Sequence, residues 1–361
     1  MFWNGGFGMD TEFWNGKRVL VTGHTGFHGS WLTIWLNEMG AEVIGYSLSP
    51  NNDEDNYVLS KLNEKITDLR GDIRDIETLS QVFLEQQPEI VFHLAACNAS
   101  HEYNDPAFTY ESNIMGTLNV LECIRNSSSV KVGVLVTSDK CYEDKEQIWG
   151  YRENDRLGGN EPYSASKACA EIIISSYSNT YMNPDRYNEH GKSVASVRTG
   201  SVIGGGDWAK GRTVPECVKA FEKDEVLVLS NPNELRSWQH VLEPTYGFLM
   251  LAMKMYNEPG RYCESWNFGP EYSSCMTVIE AAKKFREEFR KGEILELDEN
   301  EGNSVQGSMV LDITKARYKL GWQPKWSIDK TIKYTAEWYK NYKTSDVYEL
   351  CKKQIERYSL Y

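Results

Sequence analysis

The chain is short of positive charge. Lys and Arg total 39 against 52 Asp and Glu, a formal net charge of −13 over 361 residues. Polyphosphates are held by an excess of cations, so this deficit argues against a nucleic-acid or anionic-membrane binder. A small anionic ligand stays compatible, because a few local cations suffice. Metal-ligand spacing is missing too. The eight cysteines (Cys97, Cys123, Cys141, Cys169, Cys217, Cys263, Cys275 and Cys351) form no C-x-x-C pair, and no His stands at ligand spacing from another. No metal is expected, and the cysteines read as small buried hydrophobes. No apolar run reaches membrane length, and the N-terminus lacks a basic stretch followed by an apolar one. The expectation is a soluble protein of the reducing cytoplasm. Whole-chain disorder is excluded: 40% hydrophobic and 12% aromatic residues can bury a sizeable core.

What is present begins with an echo, Phe2-Trp3-Asn4-Gly5 and then Phe13-Trp14-Asn15-Gly16. This N-terminal extension is expected to be poorly ordered. From Lys17 onward, strands at about 18–21, 42–46, 90–94, 132–136 and 194–202 alternate with helices at about 30–39, 106–126 and 163–181. Such alternation predicts an α/β fold with a doubly wound parallel sheet, a Rossmann domain, and ligands at the carboxyl ends of the strands. After Gly204 the elements become shorter and mixed: helices near 213–222, 242–256, 277–289 and 328–343, with a strand at 226–229. This reads as a smaller mixed α/β substrate domain. The expected division is 13–204 and 205–361, with interleaved boundaries and no long linker.

Two constellations carry chemistry. Gly23-His24-Thr25-Gly26-Phe27-His28-Gly29 gives G-x-x-G-x-x-G between a strand and a helix. Gly23 allows the tight turn, Gly26 a close backbone approach to a pyrophosphate, and Gly29 tight helix–strand packing. The helix N-terminus supplies free N–H groups. Glycine spacing alone also occurs in ordinary βα turns, but here strand and helix flank it as a dinucleotide site requires. Where an acidic residue often holds the ribose, this chain has Ser47; yet 46–60 contains no Lys or Arg to meet a 2′-phosphate, which favours NAD. Asp72, expected at the end of the third strand, is a candidate for the adenine amino group or a plain strand-end turn. The second constellation is Tyr163-Ser164-Ala165-Ser166-Lys167, Y-x-x-x-K at the start of a helix, with phenol and ammonium on one face. A Lys cation beside an oxidised nicotinamide would lower the Tyr pKa and make it a base. Upstream, Thr137-Ser138-Asp139-Lys140 closes a strand at the same sheet edge.

These motifs, with His93-Leu94-Ala95-Ala96, Val202-Ile203-Gly204-Gly205-Gly206-Asp207-Trp208 and Trp238-Gln239-His240-Val241-Leu242-Glu243-Pro244, resemble the extended short-chain dehydrogenase/reductases. The similarity runs from about Phe13 to about Trp338 and points to the nucleotide-sugar 4,6-dehydratase branch, with CDP-D-glucose as the implied substrate. The resemblance implies oxidation at C4 by Tyr163, Lys167 and Ser138 with NAD, loss of water across C5–C6 with Asp139 as acid and Lys140 as base, and hydride return to C6. Lys140 could serve as base only if burial or a neighbouring cation lowers its pKa. The implied NAD contacts are Gly23, Thr25, Gly26, Phe27, His28, Ser47, Asp72, Ile73, Leu94, Ala95 and Ala96, with Tyr163 and Lys167. The implied substrate contacts are Asn113, Ser201, Lys210, Arg212, Arg236, Gln239 and His240, the arginines suiting a diphosphate. A homodimer through a four-helix bundle of the 106–126 and 163–181 helices is implied as well.

Three positions depart from that pattern. Cys97-Asn98-Ala99-Ser100-His101 replaces a loop that usually bears Gln-Pro and an Arg, Ser201 stands for a usual Asn, and His28 for a usual Lys. Two other readings stay open: another NAD-dependent nucleotide-sugar enzyme, such as a 4-epimerase or 4-keto reductase, and a non-catalytic dinucleotide-binding protein.

Overall fold

A computed structural model describes residues 10–97, 105–229, 231–295 and 309–361. Strands form where apolar residues run together. β1 (Arg18–Thr22), β2 (Glu42–Ser47), β3 (Thr67–Arg70), β4 (Ile90–His93), β5 (Val132–Val136) and β6 (Ser193–Arg198) join β11 (Ser265–Asn267) in one seven-stranded sheet, ordered β11-β6-β5-β4-β1-β2-β3. Every pairing in it is parallel. Parallel strands covered on both faces need continuous rather than alternating hydrophobicity, and all six residues of β6 are buried.

The helices cover the two faces. One face receives α1 (Phe27–Glu38), α6 (Leu242–Asn257), α8 (Ile328–Asn341) and α9 (Val347–Ser359). The other receives α2 (Ile76–Gln86), α3 and α4 (Pro162–Thr180). α3 is one helical run over 106–126, built of Pro106–Tyr110, a π turn at Glu111–Met115, and Gly116–Asn126. It starts where Asp105 accepts the Phe108 N–H ahead of Pro106 at the first turn. The chain beyond 204 also forms α5 (Thr213–Lys223), α7 (Val278–Phe289) and short strands: β8 (Val226–Val228) beside β13 (Glu293–Leu295), β9 (Leu235–Ser237) beside β12 (Cys275–Thr277), and β10 (Gln239–His240) beside β7 (Val202–Ile203).

Four details differ from the sequence reading. The strand expected over 194–202 is two strands, because the backbone turns at Ser201 with φ +47°. β3 stops at Arg70, so Asp72 lies in the following turn. Of the echo, residues 1–9 lie outside the described residues, but Trp14 is fully buried against Phe92; the second copy is core rather than loose extension. The closing helix α9 was not anticipated. Its Tyr348, Cys351, Ile355 and Tyr358 follow helical spacing and are all buried.

Candidate active site

β5 delivers Thr137-Ser138-Asp139-Lys140 to the carboxyl edge of the sheet. Ser138 caps a single 3-10 turn, Asp139–Cys141. Its hydroxyl donates to Asp139 Oδ1 at 2.9 Å, and the Lys140 N–H donates to the same oxygen at 2.9 Å. The Asp139 carboxylate is 6% exposed and lies so close on Gly200 that any Cβ there would overlap it. Burial raises the Asp139 pKa above the usual carboxylate range, against the pull of the Lys140 charge and the Ser138 hydrogen bond. Lys140 itself is exposed. The burial that a base role would require is therefore not provided by the protein alone.

α4 begins at the same edge. Glu161 accepts the N–H groups of Tyr163 and Ser164, each at 2.8 Å, with Pro162 at the first turn. Tyr163 and Lys167 then share a face, the Lys167 Nζ 5.9 Å from the Tyr163 ring centroid. Taken together, the protein's own groups do not lower the phenol's pKa. Desolvation pushes the Tyr163 phenol up to about 12, while the Ser138 hydrogen bond and the Arg212 charge pull it down. Lys167 is buried, and desolvation lowers its pKa to about 8. The phenol is thus held neutral, and only a further positive charge nearby would release its proton near pH 7.

One turn beyond Lys167 stands a residue that the sequence reading missed. Glu171, 2% exposed, pairs with the buried Arg198 at 2.7 Å. It also accepts from Thr137 Oγ1 at 2.5 Å and Ser196 Oγ at 2.8 Å. Arg198 in turn reaches Tyr142 Oη at 2.7 Å. This network ties α4 to the ends of β5 and β6, which fixes Tyr163 and Lys167 relative to Ser138 and Asp139. The signal for it was present, since Tyr163, Lys167 and Glu171 recur every four residues on one helical face.

The glycine turn has the shape of a cofactor cradle. A Cβ at Gly23 would meet the Ala95 backbone nitrogen at 2.6 Å, so β1 and the Leu94-Ala95-Ala96 segment approach closely only because residue 23 is Gly, at φ +77°. Gly26 is the N-cap of α1, and no side chain caps the helix's first N–H groups. Those donors are available to a pyrophosphate. Phe27 packs toward Gly204. Thr25 Oγ1 lies 2.8 Å from Ser47 Oγ at the end of β2. His28 does not point into this cradle: its Nε2 lies 3.0 Å from Thr245 Oγ1, its ring stacks on Phe248, and desolvation lowers its pKa to about 3. Only its backbone could serve a cofactor. The Asp72 carboxylate is held by Arg74 through Nε and Nη2, which lowers its pKa, and Ile73 is buried under α3 at Gly116.

The residues assigned to substrate separate into two groups. Lys210, Arg212 and Arg236 carry charge at accessible positions: Arg212 is ion-paired to Asp207 at 2.8 Å and Arg236 to Glu234 at 2.7 Å. Ser201 is partly buried at the break between β6 and β7. The other three are interior. The Asn113 amide, in the π turn, bonds the Cys97 backbone N–H and carbonyl and the Ser166 hydroxyl. Gln239 donates to Thr199, Gly200 and Phe268, and His240 packs between Trp31 and Trp326. All three side chains are buried, and Gln239 Oε1 and His240 Nε2 have no hydrogen-bond partner among the described residues. Of the departing loop, Cys97 is buried and residues 98–101 lie outside the described residues.

Residues 20–335 match the family model described as GDP-mannose 4,6 dehydratase. The chain belongs to this family. It is an extended short-chain dehydrogenase/reductase. Among its relatives, CDP-glucose 4,6-dehydratase of Salmonella typhimurium is 42% identical over 96% of this chain and 97% of its own. Human dTDP-D-glucose 4,6-dehydratase is 26% identical over 94% and 93%. Among solved structures, an epimerase of Methanothermobacter thermautotrophicus superposes with a TM-score of 0.77 at 25% identity, covering 96% of this chain and 98% of that one. A dTDP-glucose 4,6-dehydratase of Bacillus anthracis, in complex with NAD, superposes at 0.74 with 22% identity over 90% and 97%, a likeness of fold. Among the described residues, no helix is long and apolar enough to cross a membrane.

Proposed function

We propose that the protein is an NAD-dependent hydro-lyase that converts CDP-D-glucose to CDP-4-keto-6-deoxy-D-glucose. The observation that carries this reading is Asp139: a desolvated carboxyl with a raised pKa, joined to Ser138, beside the Tyr163–Lys167 pair. An epimerase or keto reductase needs the tyrosine and lysine but expels no hydroxyl from C6, so it has no use for an acid placed there. The 42% identity to a CDP-glucose 4,6-dehydratase supports the choice of base and sugar.

The glycine turn, the uncapped start of α1, Thr25 and Ser47 would hold NAD. Bound there, NAD would supply hydride uptake from C4 and its return to C6, so that no net oxidant is consumed. Tyr163, relieved of its proton near a positive nicotinamide and Lys167, accepts the proton of the sugar 4-hydroxyl through the Ser138 hydrogen bond. The C4 ketone so formed acidifies the C5 proton. Asp139, in its acid form, gives its proton to the 6-hydroxyl, which leaves as water. Lys140 takes the C5 proton once the sugar covers its exposed side chain and supplies the missing desolvation, and it returns a solvent-exchanged proton to C5 as C6 of the resulting alkene takes the hydride back. Lys210, Arg212 and Arg236 hold the diphosphate. We also propose that the enzyme works in the cytoplasm, where its eight cysteines would stay reduced, and as a homodimer through α3 and α4.

The test is incubation with CDP-glucose in deuterated water. The expected product is lighter by one water, with deuterium at C5. A C4 epimer that keeps its 6-hydroxyl would replace this reading with the epimerase one.

A further inference from the structure

The two arginines available for the diphosphate are both already engaged by carboxylates of their own loops. Arg212 binds Asp207 through one nitrogen. Arg236 is held more completely: Nε meets Glu234 Oε1 at 3.0 Å and Nη2 meets Oε2 at 2.7 Å, a fork-to-fork pair at the start of β9. This is the geometry in which a guanidinium takes two phosphate oxygens. The pair is neither deeply buried nor free, with side chains 31% and 24% exposed. Nη1 reaches Thr213 Oγ1 at 3.4 Å, at the first residue of α5 next to Arg212, whose charge is felt by Tyr163. Arg236 therefore stands at the rim of the reaction centre, with its binding fork filled from within.

We propose that the Glu234 carboxylate is an internal substitute for the substrate diphosphate, occupying the Arg236 fork until the diphosphate displaces it. The proposal rests on the nucleotide-sugar reading above. Glu234 is tethered two residues away, so it competes at a high effective concentration. A single phosphate offers little over the carboxylate it must remove. A diphosphate spanning Arg236 and Arg212 or Lys210 gains a second cation and wins the exchange. Glu234 thereby screens ligands by phosphate number. The carboxylate is separable from the local fold, because the residue is anchored by its backbone carbonyl, which accepts the Val278 N–H at 3.0 Å.

Titration calorimetry of the full-length protein with CDP and with CMP tests this. Glu234→Gln is expected to tighten CDP binding about three- to tenfold, the range of a partly exposed ion pair no longer opposing the ligand. CMP should gain at least as much, so that the preference for two phosphates narrows. Arg236→Ala should weaken CDP, and Glu234→Gln added to it should bring no gain. If Glu234→Gln leaves CDP binding unchanged or weaker while its Tm matches the parent, and Arg236→Ala still loses affinity, the substitute role is overturned and the diphosphate role stands. If Arg236→Ala binds CDP as the parent does, the assignment of Arg236 falls, and the inference with it.

Discussion

Asp139 shows how one residue's environment sets both chemistry and stability. Its carboxyl is desolvated against Gly200, so its folded-state pKa lies above the unfolded value. The folded protein then holds the proton across a window where the unfolded chain has lost it, and stability falls as pH rises through that window. Asparagine keeps the shape and cannot ionise. Asp139→Asn is expected to flatten the decline in Tm that the buried carboxyl produces in the parent as pH rises above the ordinary carboxylate range. The same variant should stop water loss while reduction of NAD by CDP-glucose stays visible in absorbance. A steep Tm decline persisting in the variant would remove Asp139 as its source. At this scale the sequence was informative about residue type and silent about direction. Ser138, Asp139, Tyr163 and Lys167 converge as their order implied. Gln239, His240 and Asn113 lie in the same motifs, but their side chains turn inward, and a motif does not say which way its members face.

At the scale of elements, the Glu171 network explains how a helix and three strand ends keep one register. Thr137 sits directly before Ser138 and gives its hydroxyl to Glu171, while Ser196 and Arg198 of β6 and Ser265 of β11 bind the same carboxylate. Removing Glu171 would strand the buried Arg198 charge, so Thr137→Val is the finer probe: it deletes one donor and preserves volume. Loss of this charge-assisted bond should lower unfolding free energy by about 1.5–3 kcal/mol in a denaturant titration. kcat should fall with it if register matters, with KM for the nucleotide sugar nearly constant. The elements around this network were legible because local signals agreed. Asp105 with Pro106, and Glu161 with Pro162, mark helix starts by cap and proline, and β5 is an unbroken apolar run. The network itself was not, since Arg198 and Glu171 are 27 residues apart and meet only through the β5–β6 pairing. The split of β6 from β7 was hidden for a similar reason: Ser201 adopts a left-handed backbone that its residue type does not announce.

For the whole molecule, the charge of −13 returns as a question of association. Two copies repel at long range, so any dimer must rest on apolar contact. α3 and α4 pack side by side and leave Tyr110, Met115, Ile172 and Tyr181 exposed, Ile172 at 57% and Met115 at 48%. Neighbouring helices with such outward residues present the surface that a four-helix interface buries. A homodimer formed there should show twice the chain mass by light scattering. It should tighten as salt rises, because screening weakens the repulsion while apolar burial persists. Met115→Glu with Ile172→Glu would place charge at the centre of the contact and is expected to yield monomer with the sheet intact by circular dichroism. The same double variant separates this surface from the reaction centre, since Asn113 in the π turn points to Cys97 and Ser166 while Met115 points outward. A double variant that remains dimeric would move the interface away from α3 and α4.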